Sequence, residues 1–138
     1  MAGERRYIVC VDFDGVLHSY ASGWARNMTQ EEAALVIRDA PVKGAFEWLA
    51  QMALDNRFEI CVYSSRSKYP GAPKAMQRWM LDHGFARDAI SHLQWPTQKP
   101  PANMTIDDRA FCFEGDFPSA SWLLRFTPWN KRAGSAEP

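Results

Sequence analysis

The sequence predicts an α/β fold, a doubly wound parallel sheet sandwiched between helices in one domain. Three observations carry that expectation. Tyr7–Val11 and Phe58–Tyr63 are near-continuous apolar runs rather than alternating ones, as strands buried on both faces require. Segments with a helical apolar stripe separate the runs. The runs also end abruptly in polar groups: Asp12 after the first, Ser64 after the second, Asp107-Asp108 after Met104–Ile106. In an open parallel sheet, that edge is where ligands bind.

The elements follow in order. Tyr7–Val11 is the first strand. Thr29-Gln30-Glu31-Glu32 has the form of a capping box, so a short helix is expected to start there. Pro41 is expected to open the next helix, with Val42, Phe46, Leu49 and Ala53 on one face, running to about Asn56. Phe58–Tyr63 is the second strand. Pro73–His83 is a helix with Met76, Trp79 and Met80 inward and Gly84 as its C-cap. Ile90–Trp95 reads as a short third strand, 96–101 as a loop, Met104–Ile106 as a fourth strand and Ala110–Phe113 as a fifth. Ser119–Phe126 is expected to form a final helix or turn. The domain is expected to span residues 1–130, with a disordered tail over 131–138.

Composition narrows the class. The 138 residues are 46% hydrophobic and 23% charged, ordinary values for a globular domain able to bury its own core. Sixteen basic residues balance sixteen acidic ones, so nucleic-acid binding draws no support from net charge. The apolar run before Asp12, Tyr7–Val11, is only five residues long, too short for a membrane span or a signal-peptide core. Cys10, Cys61 and Cys112 sit in apolar runs without zinc-ligand spacing and read as core residues, so a cytoplasmic location is expected and no membrane partner.

The chemistry gathers at the strand ends. Asp12, Asp14, Asp107 and Asp108, brought to one edge, would repel one another unless a cation joined them. Oxygen ligands without histidine or thiolate favour Mg²⁺. Lys99 and Ser64 suit an anion, and beside Mg²⁺ the expected anion is phosphate. Along a strand, Asp12 and Asp14 point one way and Phe13 the other, while Gly15 allows a tight turn. One carboxylate can then attack phosphorus while the second moves a proton.

Asp12-Phe13-Asp14-Gly15-Val16 resembles the first motif of the haloacid dehalogenase (HAD) superfamily. Ser64 after Ile60-Cys61-Val62-Tyr63 resembles the second, Lys99 the third and Ile106-Asp107-Asp108 the fourth. The ordered set spans residues 7–113, roughly three quarters of the chain. The resemblance implies a Rossmann-like sheet and a Mg²⁺-dependent phosphomonoesterase working through an aspartyl-phosphate. Asp12 would be the nucleophile, Asp14 the general acid and base, and Ser64 a holder of the transferring oxygens. Lys99 would neutralise charge. Asp12, the Asp14 carbonyl and one of the paired acids would bind the metal, Asp108 in preference, with Asp107 orienting Lys99. The 47 residues between Gly15 and Tyr63 (16–62) and the 34 between Ser64 and Lys99 (65–98) hold no full cap. A capless site suits a large, phosphorylated, even macromolecular substrate.

Several residues keep two readings. Ser65, Arg66 and Arg109 either bind substrate or, for the arginines, pair with a nearby acid. His18 reads as structural or exposed, Trp24 as a flap, and Trp48, Trp79, Trp95, Trp122 and Trp129 as core or edge packing. The rival functions are a catalytically weak HAD-like binding protein, a metal-dependent nuclease and a nucleic-acid end-processing 3′-phosphatase. A phosphorylated receiver domain is disfavoured, because its acidic pair comes early and this one comes late.

Overall fold

The computed structural model describes residues 5–131. Four parallel strands form one sheet in the order β3-β2-β1-β4: β1 (Tyr7–Asp12), β2 (Phe58–Tyr63), β3 (Leu93–Gln94) and β4 (Met104–Ile106). Around it lie α1 (Gln30–Ala33), α2 (Ala45–Leu54), α3 (Ala72–Asp82), α4 (Arg87–Ile90), α5 (Ala120–Arg125) and a 3₁₀ turn at Trp129–Lys131. The architecture is therefore α/β with an all-parallel sheet. β1 is central, pairing with β2 from Tyr7–Phe58 to Asp12–Tyr63, and with β4 from Val9–Met104 to Val11–Ile106. One further step in register sets Asp12 beside Asp107, and the chain leaves β2 directly into Ser64.

The core explains why the first two runs are apolar throughout. Val9, Val11, Ile60 and Val62 are buried in the sheet, with Leu49 of α2 and Met76 and Met80 of α3 against them. Phe13 is fully buried, its ring edge-on to Trp79 at 5.2 Å. That anchors the stretch between Asp12 and Asp14 in the hydrophobic interior and leaves both acids on the other side.

Local signals set the helix ends. The Thr29 hydroxyl accepts from the Glu32 N–H at 3.0 Å and the Glu32 carboxylate accepts from the Thr29 N–H at 2.9 Å, a complete capping box. At the end of α3 the Gly84 N–H bonds the Leu81 carbonyl and the Phe85 N–H the Met80 carbonyl. This is a Schellman closure, which requires the left-handed φ of +91° at Gly84.

Five expectations need correction. Pro41 does not open a helix: it bridges His18 while the Val42 N–H bonds the Leu17 carbonyl, so α2 starts only at Ala45. Ile90 ends α4 rather than starting a strand, leaving β3 as Leu93–Gln94 alone. Ala110–Phe113 forms no strand: all four residues are exposed, so no burial holds the segment against the free edge of β4. Cys112 lies there as well and is exposed, unlike buried Cys10 and Cys61, while Trp122 of α5 packs at the edge against Phe111 and Phe126. Lys131, where a tail was expected to begin, belongs to the 3₁₀ turn; residues 132–138 lie outside the described residues. No helix among the described residues is long and apolar enough to cross a membrane.

Candidate active site

Three strand ends meet in a cleft of about 210 Å³ lined by Asp12, Asp14, Tyr20, Ser64, Ser65, Asp108 and Arg109. A larger hollow of about 870 Å³, bordered by Arg5, Arg6, Tyr7, Glu59 and Asn103, opens at the opposite end of the sheet. It holds none of the clustered acids. The smaller cleft is where the acids of the strand ends gather.

Asp12, Asp107 and Asp108 each present a carboxylate oxygen, and these oxygens lie within 4.8 Å of one another. Opposite ligands of a six-coordinate Mg²⁺ stand about 4.2 Å apart, so one small hard cation suits the group with only a slight approach. The electrostatics point the same way. Burial, followed by the Asp107 and Asp108 charges, pushes Asp12 up to about 8, against the opposing pull of the Phe13 N–H at 2.9 Å. Asp108 is raised too, chiefly by burial. Its side chain is 2% exposed and its Oδ2 has no hydrogen-bond partner; the Arg109 Nε stands 3.7 Å off, beyond bonding distance. A buried carboxylate oxygen with no hydrogen bond and only a long ion pair to Arg109, facing other carboxylates, suits a metal ligand.

Gly15 makes this crowding feasible. A Cβ on Gly15 would lie 2.1 Å from Asp108 Oδ2, so only glycine lets β4's acid reach the first strand's turn. Its φ of +87° demands the same residue.

Asp14 stands apart from the triad, with both oxygens engaged. His18 Nδ1 lies 2.8 Å from Oδ1 and Arg66 Nε donates to Oδ2 at 2.8 Å. His18 is 1% exposed, and its Nε2 accepts the Asp39 N–H at 3.1 Å. The proton therefore sits on Nδ1 and is donated to Asp14. Arg66 is equally buried, and its Nη1 donates to the carbonyls of Ala33, Ala34 and Val36. Of the two readings kept for Arg66, pairing with an acid is the one observed, and the acid is Asp14.

The turn after β2 is built by its serines. Ser64 Oγ accepts the Arg66 N–H at 3.1 Å and Ser67 Oγ accepts the Ser64 N–H at 3.0 Å. Neither bond uses the Ser64 hydroxyl proton, and Ser64 lines the cleft. Ser65 is exposed at the rim. Arg109 also lines the cleft, with its N–H held by Asp107 Oδ1 at 2.8 Å.

Comparison with family models, with curated proteins and with solved structures finds no match. The site stands on its geometry.

Lys99 is the sequence-predicted residue that stays apart. It is exposed in the loop before β4, does not line the cleft and forms no ion pair among the described residues, so Asp107 does not orient it here. Its charge does reach β1, where it lowers the Cys10 thiol against the stronger effect of burial.

Sequence reasoning missed other residues. Tyr20 lines the cleft from a strained backbone, φ +60°. Trp129 donates its indole N–H to the Gly15 carbonyl at 2.7 Å, and Asn130 and Lys131 bond the carbonyls of Ser19, Tyr20 and Ala21. Only His18 left a local signal, its four-residue spacing from Asp14. Trp24 lies over the Arg66 guanidinium at 4.9 Å, beside the cleft.

Proposed function

We propose that the chain is a Mg²⁺-dependent phosphomonoester hydrolase of the HAD type, acting through an aspartyl-phosphate on Asp12. One observation carries this above the others. Asp12 ends the central strand, flanked by Ser64 on one side and Asp107-Asp108 on the other, with Asp14 locked two residues on. Asp12, Asp107 and Asp108 would hold the cation, which when bound supplies charge neutralisation for the phosphoryl oxygens.

The protein's own groups do the rest. An Asp12 oxygen attacks phosphorus and the bond to the leaving oxygen breaks, while Asp14 gives that oxygen a proton. Water then attacks the acyl phosphate, its proton returns to Asp14, and inorganic phosphate leaves with the Asp12 carboxylate restored. His18 and Arg66 each occupy one lone pair of Asp14, leaving lone pairs for the reacting proton. The Ser64 hydroxyl donates to a phosphoryl oxygen, with Arg109 at the rim. Lys99 would have to swing inward to take part.

The same motifs support a doubly wound, Rossmann-like sheet without a full cap, and the unpaired cysteines suit a cytoplasmic protein. A metal-dependent nuclease is the second reading, favoured by Lys99 lying outside the cleft lining. Hydrolysis of p-nitrophenyl phosphate and of its bis-ester, with and without Mg²⁺, separates the two. Monoester turnover that needs Mg²⁺ and falls at least about a hundredfold in Asp12→Asn and Asp14→Asn is expected. Retained activity in Asp12→Asn would sink the mechanism.

A further inference from the structure

A second cleft, of about 320 Å³, opens next to the carboxylates and is lined by Tyr20, Trp24, Gln30, Ser65, Lys68 and Tyr69. Tyr20 and Ser65 belong to both clefts, so the second cleft adjoins the one that holds Asp12. Resting on the phosphatase reading, we propose that this cleft is the leaving-group subsite and that it takes a nucleoside: the substrate is a nucleoside monophosphate or the phosphate-bearing end of a strand.

The lining has the chemistry for it. Three aromatic side chains, all half-buried, present rings to one small space. Planar bases stack on such rings irrespective of sequence. Trp24 is fixed from behind by the Arg66 guanidinium at 4.9 Å, and that guanidinium is itself anchored to Asp14 and three carbonyls. The ring is thus a rigid platform, set by the same arginine that orients the proposed general acid. Gln30 offers a donor and an acceptor to a base edge. Lys68, its Nζ 5.3 Å from the Tyr69 ring centre, is the charged residue of the lining, and no acid shares it. The lining suits a neutral ring with an anionic backbone. Tyr20, at the junction, carries the left-handed φ of +60°, a strain that persists where a side chain must be aimed. Lys131 holds its carbonyl at 3.2 Å.

Isothermal titration of the full-length protein with Ca²⁺ in place of Mg²⁺, with any phosphate release measured alongside, reads the subsite without relying on catalysis and keeps the carboxylate charge neutralised. Adenosine 5′-monophosphate is expected to bind at least about tenfold tighter than ribose 5-phosphate. Tyr69→Leu should bring that ratio to about two while leaving ribose 5-phosphate affinity unchanged. Gln30→Ala, on the exposed first turn of α1, is a second variant should Tyr69→Leu fold poorly, and should lower the ratio as well. Equal affinity of the two ligands for the wild type, or a ratio unmoved by both variants, overturns the subsite. A short 5′-phosphorylated oligonucleotide that binds tighter than the mononucleotide assigns a strand end; equal binding assigns the free nucleotide. Hydrolysis of p-nitrophenyl phosphate is scored separately. Its loss with nucleotide preference intact would sink the phosphatase alone, and its presence without preference would sink the subsite alone.

Discussion

At the scale of single residues, Asp12 is the most informative. Its acidity in the folded chain, shifted to about 8, lies far above the ordinary unfolded value of about 3.9. The folded state therefore binds a proton that the unfolded state has lost. The stability contributed is fully present below about pH 4 and disappears as pH rises towards 8. Metal-free protein is expected to become less stable across that window, and Asp12→Asn to flatten the slope. Denaturant unfolding of both proteins at pH 5 and pH 8 checks this, and an unchanged slope in the variant would contradict it. Because a cation must displace that proton, stabilisation by Mg²⁺ should be larger at pH 8 than at pH 6.

Gly15 yields the other prediction at this scale. Gly15→Ala puts a methyl group 2.1 Å from Asp108 Oδ2 at a φ of +87°. A loss of roughly 1–3 kcal/mol in thermal unfolding is expected, with the Mg²⁺-induced stabilisation abolished as Asp108 is pushed away. Asp12, Asp14, Ser64 and the late acidic pair were legible in the sequence because a parallel sheet delivers its strand ends to one edge. Arg66 was not, since its partner Asp14 is 52 positions away and nothing local selects it over Asp107.

Among the elements, α1 shows how a four-residue helix survives. The capping box holds its start, and Arg66 takes the carbonyls of Ala33, Ala34 and Val36 at its end. So short a helix has no intrinsic stability, so both ends have to be tied. Arg66→Met would strand those carbonyls and the Asp14 charge together. A destabilisation of about 3–5 kcal/mol is expected in denaturant unfolding, far beyond a surface change. The start of α1 was readable because a capping box is local. Its end was not, and neither was the boundary at Ile90, since a short apolar run fits a helix end or a strand equally well.

Across the whole molecule, order is unevenly shared. β1 and β2 are sealed in the core, whereas Phe111, Phe113, Phe117, Trp122, Leu123 and Leu124 are exposed, Leu124 by 87%. Ring pairs such as Phe111–Trp122 link that stretch mostly to itself. Backbone amides over residues 111–126 should exchange with solvent much faster than those of β1 and β2, as deuterium uptake by mass spectrometry would read. The apolar residues of 110–113 suggested a strand; only the structure shows that they stay exposed and do not pair with the free edge of β4.

The bond from Trp129 to Gly15 joins residues 114 positions apart, and Asp108 reaches the same glycine from nearly as far. A ribosome makes the turn at Asp12 well before the residues that support it. Until Asp107, Asp108 and Trp129 have been made, Asp12 lacks both the neighbouring carboxylates and the indole that steadies its loop. The acidic cluster is therefore assembled by folding and not by any stretch of chain acting alone, so a fragment cut short before Asp107 could not form it.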